Sequence, residues 1–218
     1  MLLGHYAVAL AAKRAVPKTS LGTLILGAQF ADLVWPIFLL LGWERVRIVP
    51  GITRVTPFDF VAYPYSHSLL AQVLWGIGIG IFYFAIGRAP RSAVVLALCV
   101  PSHWLLDFIM HRPDMPLVPG GGRYGLGLWN SLPATLAIEF ALFAAGIALY
   151  LTGTRAKDRT GAYALWSLLL LLLLAYVGSI FGPPPPNERA IAISALALWL
   201  TVVWAAWADG HRQIRPLT

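Results

Sequence analysis

Six stretches of this chain run long enough, and apolar enough, to cross a hydrocarbon core of about 30 Å, which needs roughly 20 residues in a helix. They lie near 19–42, 65–87, 92–111, 126–152, 162–182 and 190–208, and none of them contains a Lys or Arg. In hydrocarbon every backbone N–H and C=O must be satisfied internally, so such runs become helices. The expected fold is all-α, a polytopic membrane helix bundle of about six transmembrane helices. In front of them Met1–Ala12 is equally apolar but too short to span, and reads as an N-terminal half-helix.

Composition agrees with that class. Hydrophobic residues make up 59% and charged residues 11%, with a mean hydropathy of +0.73, whereas a soluble domain is nearer half apolar and a quarter charged. Nine Trp and eight Tyr suit interfacial aromatic belts. The length implies one membrane domain over 1–218, with 160–210 as two accessory spans. A single cysteine, Cys99, leaves no internal disulfide and no cysteine-based metal site. The net charge of +7 is spread thinly over loop ends, which argues for lipid contact and against nucleic acid as a partner. Met1–Ala12 has no basic residue ahead of its apolar stretch, so no cleavable signal peptide is expected.

Sidedness follows from the basic residues. Ten of the sixteen Lys and Arg fall on one face: Lys13, Arg14, Lys18, Arg88, Arg91, Arg155, Lys157, Arg159, Arg212 and Arg215. The other six fall opposite, and the positive-inside bias then puts both termini in the cytoplasm. At about 1.5 Å per helical residue, Asp32 and Glu139 come out roughly 21–24 Å above the cytoplasmic edge, with His103 and Asp107 at a similar height and His5 shallower, at roughly 12 Å.

The apolar runs carry an unusual set of polar groups. His67, His103, His111, Asp32, Asp107 and Glu139 lie inside them or at their ends, and His5 lies in the half-helix. Ionisable groups in hydrocarbon are costly and face a cavity, a partner or an ion. No Lys or Arg is available within the runs to pair them. Imidazoles with carboxylates are a divalent-metal ligand set. The strongest local signal is His103-x-x-x-Asp107-x-x-x-His111, whose fourfold spacing lines three side chains along one helical face; a polar stripe bonded within itself is the plainer reading. Pro101 precedes it and frees a carbonyl. Asp32 stands four residues before Pro36 and could instead be a protonated acid in a polar pocket. His67, in Tyr65-Ser-His-Ser68, opens a helix, where the dipole keeps an imidazole neutral; its alternative is a capping role. Glu139 is the lone acid of the fourth run, a functional residue by default or a proton carrier. Arg112 and Arg123, in the loop after His111, are candidates to hold an anionic substrate, while Asp114 reads as turn chemistry. His211, in the basic tail, is left out of the set.

The order His5, Asp32, His67, His103-x-x-x-Asp107 resembles the YdjM-like bacterial inner-membrane proteins, described as membrane-bound metal-dependent hydrolases. The resemblance covers about residues 1–140. The acid here lies in Phe-Ala-Asp32 rather than a Pro-Asp setting, and the histidine in Tyr-Ser-His67-Ser rather than Thr-His-Ser. A more distant similarity is to the all-helical zinc-dependent phospholipase C and nuclease group. Carried over by order, it implies His5, Asp32, His67, His103, Asp107, His111 and Glu139 as ligands. The His expected four residues before the late Glu is Thr135 here.

These readings converge on an expectation. The chain is a hydrolase of the bacterial inner membrane holding one or two divalent ions, zinc first among them. Asp32 or Glu139 serves as general base, and the substrate is an amphiphilic or phosphate-bearing small molecule. The competing class is a metal-ion or proton transporter using a His/Asp/Glu relay. A closed structural metal in an adaptor is a third reading, and seven candidate ligands exceed its need.

Overall fold

A computed structural model describes residues 1–87 and 89–215. The chain is an all-α bundle with three small two-stranded sheets at its ends. In order it runs α1 (Leu3–Ala15), α2 (Leu21–Ala28), α3 (Phe30–Leu40), β1 (Arg45–Ile48), β2 (Phe58–Ala62), α4 (Leu69–Ala85) and α5 (Pro90–Met110). There follow β3 (Met115–Pro116), β4 (Arg123–Tyr124), a 3-10 turn at Leu128–Asn130, α6 (Leu132–Gly153), β5 (Thr154–Ala156) and α7 (Arg159–Phe181). The chain closes with α8 (Glu188–Ala195), α9 (Leu198–Gly210) and β6 (Arg212–Ile214).

Among the described residues four helical runs are long and apolar enough to cross a membrane: α5, α6, α7 and the α8–α9 run over Glu188–Gly210. The chain is thus a multi-pass membrane protein in contact with lipid. The run expected over 19–42 is broken: α2 and α3 meet at a 58° bend and make a fifth crossing only if taken together. The run expected over 65–87 yields α4, 17 residues long, because the segment ahead of Ser68 folds as irregular backbone. Ser68 caps that helix, accepting from the Ala71 N–H at 3.2 Å. The fourth run starts at Leu132 rather than 126, since Gly127 takes a left-handed conformation (φ 73°) and the next three residues form the 3-10 turn. Asp158 and Asn187 cap α7 and α8 in the same way as Ser68, each from a carboxyl or amide oxygen 2.8 Å from a backbone N–H.

The short first helix is not a surface feature. Leu3, His5, Tyr6, Ala9 and Leu10 are all buried, as a helix apolar on every side requires. It packs chiefly on α6, and also on α2 and α5. The half-helix is thus seated against the fourth of the apolar runs. Gly146 of α6 makes that contact possible: a Cβ there would lie 2.7 Å from Ala7 Cα and 2.8 Å from Ala7 O.

Two ends are distinct. The hairpins β1–β2 and β3–β4 follow α3 and α5 and cover one end, over a cluster of Trp35, Phe60, Tyr63, Trp104 and Met115. At the other end β5 pairs with β6. There the buried Lys13 ammonium lies 2.5 Å from Asp209, which also accepts from the Tyr150 hydroxyl at 2.7 Å and the Leu21 N–H at 3.1 Å. Met1 sits inside the bundle, so of the two termini only the C-terminal strand lies at the Lys- and Arg-rich end.

Replacing Gly146 with Leu should drive α1 off α6. An overpacked contact of this kind costs about 1–3 kcal/mol, and a thermal-unfolding scan of the detergent-purified variant should show a lowered midpoint. An unchanged midpoint would mean that α1 is not seated as described.

Candidate metal centre

Asp107, on α5, is the hub. Its Oδ1 lies 2.6 Å from the Met1 amine and 3.1 Å from His5 Nε2. Its Oδ2 lies 3.2 Å from His103 Nε2, 3.7 Å from His111 Nε2 and 4.0 Å from His67 Nε2. Asp32 approaches from α3, with Oδ1 at 3.4 Å from His67 Nε2 and 3.8 Å from His103 Nε2. All these side chains are buried except that of Asp32, which is 21% exposed. The His5 and His103 rings stack at 3.5 Å between centroids.

The broken helix explains how His5 reaches the level of Asp32. Depths reckoned on a straight span set Asp32 roughly 10 Å above His5. Instead α2 has only eight residues, about 12 Å of rise, before the chain turns at Gln29. That places Asp32 beside the start of α1. The break also frees the Ala28 carbonyl, which accepts from His103 Nδ1 at 3.0 Å. The carbonyl that holds His103 thus comes from the break at Gln29, while Pro36 and Pro101 both lie inside helices.

Three imidazoles are held from behind in the same sense. A carbonyl only accepts, so His103 carries its proton on Nδ1. His111 Nδ1 donates to Asp114 at 2.9 Å, and Asp114 also accepts from the Tyr63 hydroxyl at 3.0 Å. Burial, and then the charge of Asp114, hold the Tyr63 hydroxyl well above the ordinary phenol range, so it stays a donor. Behind His67 stands a relay: the Ser66 hydroxyl donates to Glu44 Oε2 at 2.6 Å and accepts from His67 Nδ1 at 2.7 Å. Glu44 is itself fixed by the N–H groups of Tyr65 and Ser66 at 2.8 and 2.9 Å. In the neutral form of each ring, with Nδ1 protonated, the Nε2 lone pair points at a carboxylate oxygen. Lone pairs facing carboxylates repel unless a cation lies between them.

The spacing fits that cation. Ligand atoms around a tetrahedral ion at 2.0–2.2 Å stand about 3.3–3.6 Å apart, close to the 3.2, 3.4, 3.7 and 3.8 Å found here. His103 Nε2 is buried with no hydrogen-bond partner, as an unused ligand atom would be. Two groups could each hold an ion, His5–His103–Asp107 and Asp32–His67–His103, sharing His103. The pattern of an outer acceptor fixing each ring is the support that metal-binding histidines use.

Two sequence expectations take a different form. Glu139 lies beside the cluster, but its two oxygens accept from the N–H groups of Leu2 and Gly4 at 3.0 and 2.9 Å. It supplies the N-terminal cap that α1 lacks on its own, an anion at a helix N-terminus. Thr135, one turn earlier, bonds the Leu128 carbonyl at 2.9 Å. The two arginines expected to bind substrate do not line the cavity described next. Arg112 is held in ion pairs with Asp59 and Asp114, and Arg123 donates to the Val61 carbonyl at 2.7 Å. Glu44, Ser66 and Asp114, which support the rings, were not expected as site residues.

A cavity of about 780 Å³ opens onto the cluster. Asp32, His67, Asp107, His111 and Glu139 supply most of its polar lining, and residues of the loop Pro50–Phe58 line it as well. That loop brings Arg54, exposed and in no ion pair among the described residues.

No family model and no solved structure matches this chain. A cytochrome c oxidase subunit 1 homolog from Agrobacterium tumefaciens (strain T37) is 28% identical over 199 residues, covering 82% of this chain and 32% of that protein. The chain thus spans about a third of that relative's length.

Ser66→Ala and Glu44→Gln each cut the relay behind His67. Loss of such outer support weakens metal binding by about 10–100-fold, so zinc titration of either purified variant should show a drop of that order with helical content unchanged. Wild-type affinity in both would remove Glu44 and Ser66 from the centre.

Proposed function

We propose that the chain is a membrane-embedded metal-dependent hydrolase acting on a phosphate ester or similar amphiphile. The observation that supports this best is the convergence of three oriented imidazoles and two carboxylates beside a cavity. The order of those residues along the chain is the one that resembles the YdjM-like proteins. One or two divalent ions suit the ligand set, zinc foremost, and an ion bound there lowers the pKa of a water toward about 7 and polarises a phosphoryl oxygen.

The remaining work falls to side chains. Asp32 is the only carboxylate of the cluster with appreciable exposure, and it faces the cavity, so it takes the proton-accepting role. Glu139 is committed to the backbone of α1 and serves by holding His5 in place. Arg54, which also lines the cavity, supplies the cation for an anionic head group, the role the sequence suggested for Arg112 and Arg123. The bilayer in this reading is the bacterial inner membrane, with the β5–β6 end in the cytoplasm.

The transporter alternative needs polar groups continuing through the bundle. Between His5 and Lys13 on α1 the buried core is instead largely apolar, including Leu10, Leu24, Phe143, Leu165 and Leu168, with the Tyr6–Thr201 hydroxyl pair at its His5 end. That core favours a site open at one end.

Asp107→Asn keeps the side chain's shape and removes its charge. Zinc affinity should fall at least about tenfold, and hydrolysis of a test phosphoester should be lost with it. The protein should still insert and purify, since a neutral amide is tolerated in an apolar setting better than an unpaired anion. A variant with full metal content would make Asp107 a structural residue, and retained activity would sink the reading.

A further inference from the structure

The polar cluster occupies only part of the cavity. The rest extends between α7 and the α8–α9 run, two helices for which the sequence carries no motif. Leu171, Ala175 and Ser179 recur at spacings of four, so they share one face of α7. Ile191, Ala195 and Leu198, at spacings of four and three, share one face of the facing run. From Leu171 to Thr201 the lining contains no charged residue. Small side chains at 175, 179 and 195 leave width between the walls. The separation has a cause in the chain: α8 packs on α3 while α7 packs on α9, and the stiff run Pro183–Pro186 bridges the two.

We propose that this space is a slot for one hydrocarbon chain of an amphiphile whose anionic head lies at the histidine–carboxylate cluster. The identity of the head group rests on the hydrolase reading; the slot itself rests on the lining and on its continuity with the cluster. The lining offers both parts such a molecule requires: Arg54, Asp32, Asp107, His67 and His111 for the head, and the uncharged residues from Leu171 to Thr201 for the chain. A bare ion or a small polar ester has no use for the apolar part. A chain already dissolved in lipid gains little by moving into an apolar protein slot, because lipid tails are as apolar as Leu. The slot therefore acts by position: it fixes where along the molecule the scissile bond meets the cluster, and it selects for a chain over a bulky polar tail.

The test uses the full chain, loaded with zinc, in phosphatidylcholine nanodiscs. The probe is a long-chain alkyl phosphonate, which cannot be hydrolysed, carrying a photoactivatable diazirine at mid-chain. Labelling should map to residues 171–180 and 191–198, and excess unlabelled hexadecyl phosphonate should abolish it. It should be lost in the Ala175→Trp, Ala195→Trp protein at unchanged zinc content. Labels spread over lipid-facing residues such as Phe82 and Leu105, or labels that resist the competitor, would overturn the slot. Turnover of a water-soluble aryl phosphate, measured in parallel, separates the two claims. Slot labelling without turnover keeps the slot and removes the hydrolase reading, whereas turnover without slot labelling does the reverse.

Discussion

One carboxylate organises the centre of this molecule. Asp107 stands within 4.0 Å of four imidazoles and the Met1 amine, buried where no Lys or Arg pairs with it among the described residues. An ionised acid there is tolerable only with compensating charge. The surrounding architecture follows from supplying it. The first helix must enter the bundle to bring His5, α2 and α3 must part to bring Asp32 and free a carbonyl for His103, and the segment before α4 must stay irregular to bring His67.

What the sequence disclosed was the chemistry carried by long, regular stretches. Runs of about twenty apolar residues have few physical solutions, so an all-α membrane bundle followed directly. Within them His67, His103 and Asp107 were conspicuous because no Lys or Arg stood in the same runs. The fourfold spacing of His103, Asp107 and His111 held information because α5 is a continuous helix. Depth counting failed where that continuity failed. The break at Gln29 has neither Pro nor Gly at the turn itself, whereas Pro36, which drew attention, lies inside α3 and leaves it helical.

The supporting tier was illegible for another reason. Glu44, Ser66 and Asp114 lie in loops, where such residues are common, and only tertiary folding carries them to the back of an imidazole. Glu139 shows the converse. A lone acid in a span was expected to ligate or to carry protons, yet it caps a helix that has no acid in its own first turn. Arg112 likewise looked available, and its partners Asp59 and Asp114 come together with it only through the hairpin β1–β2 and the turn after α5.

The central claim is that oriented imidazoles and carboxylates, and no other groups of this chain, hold the ion. X-ray absorption at the zinc edge of the zinc-loaded protein reads this directly. The account predicts a shell of nitrogen and oxygen atoms at about 2.0–2.2 Å, with the outer-shell scattering of at least two histidine rings. A protein that takes up no zinc, or a hydrated oxygen shell without imidazole scattering, would contradict it.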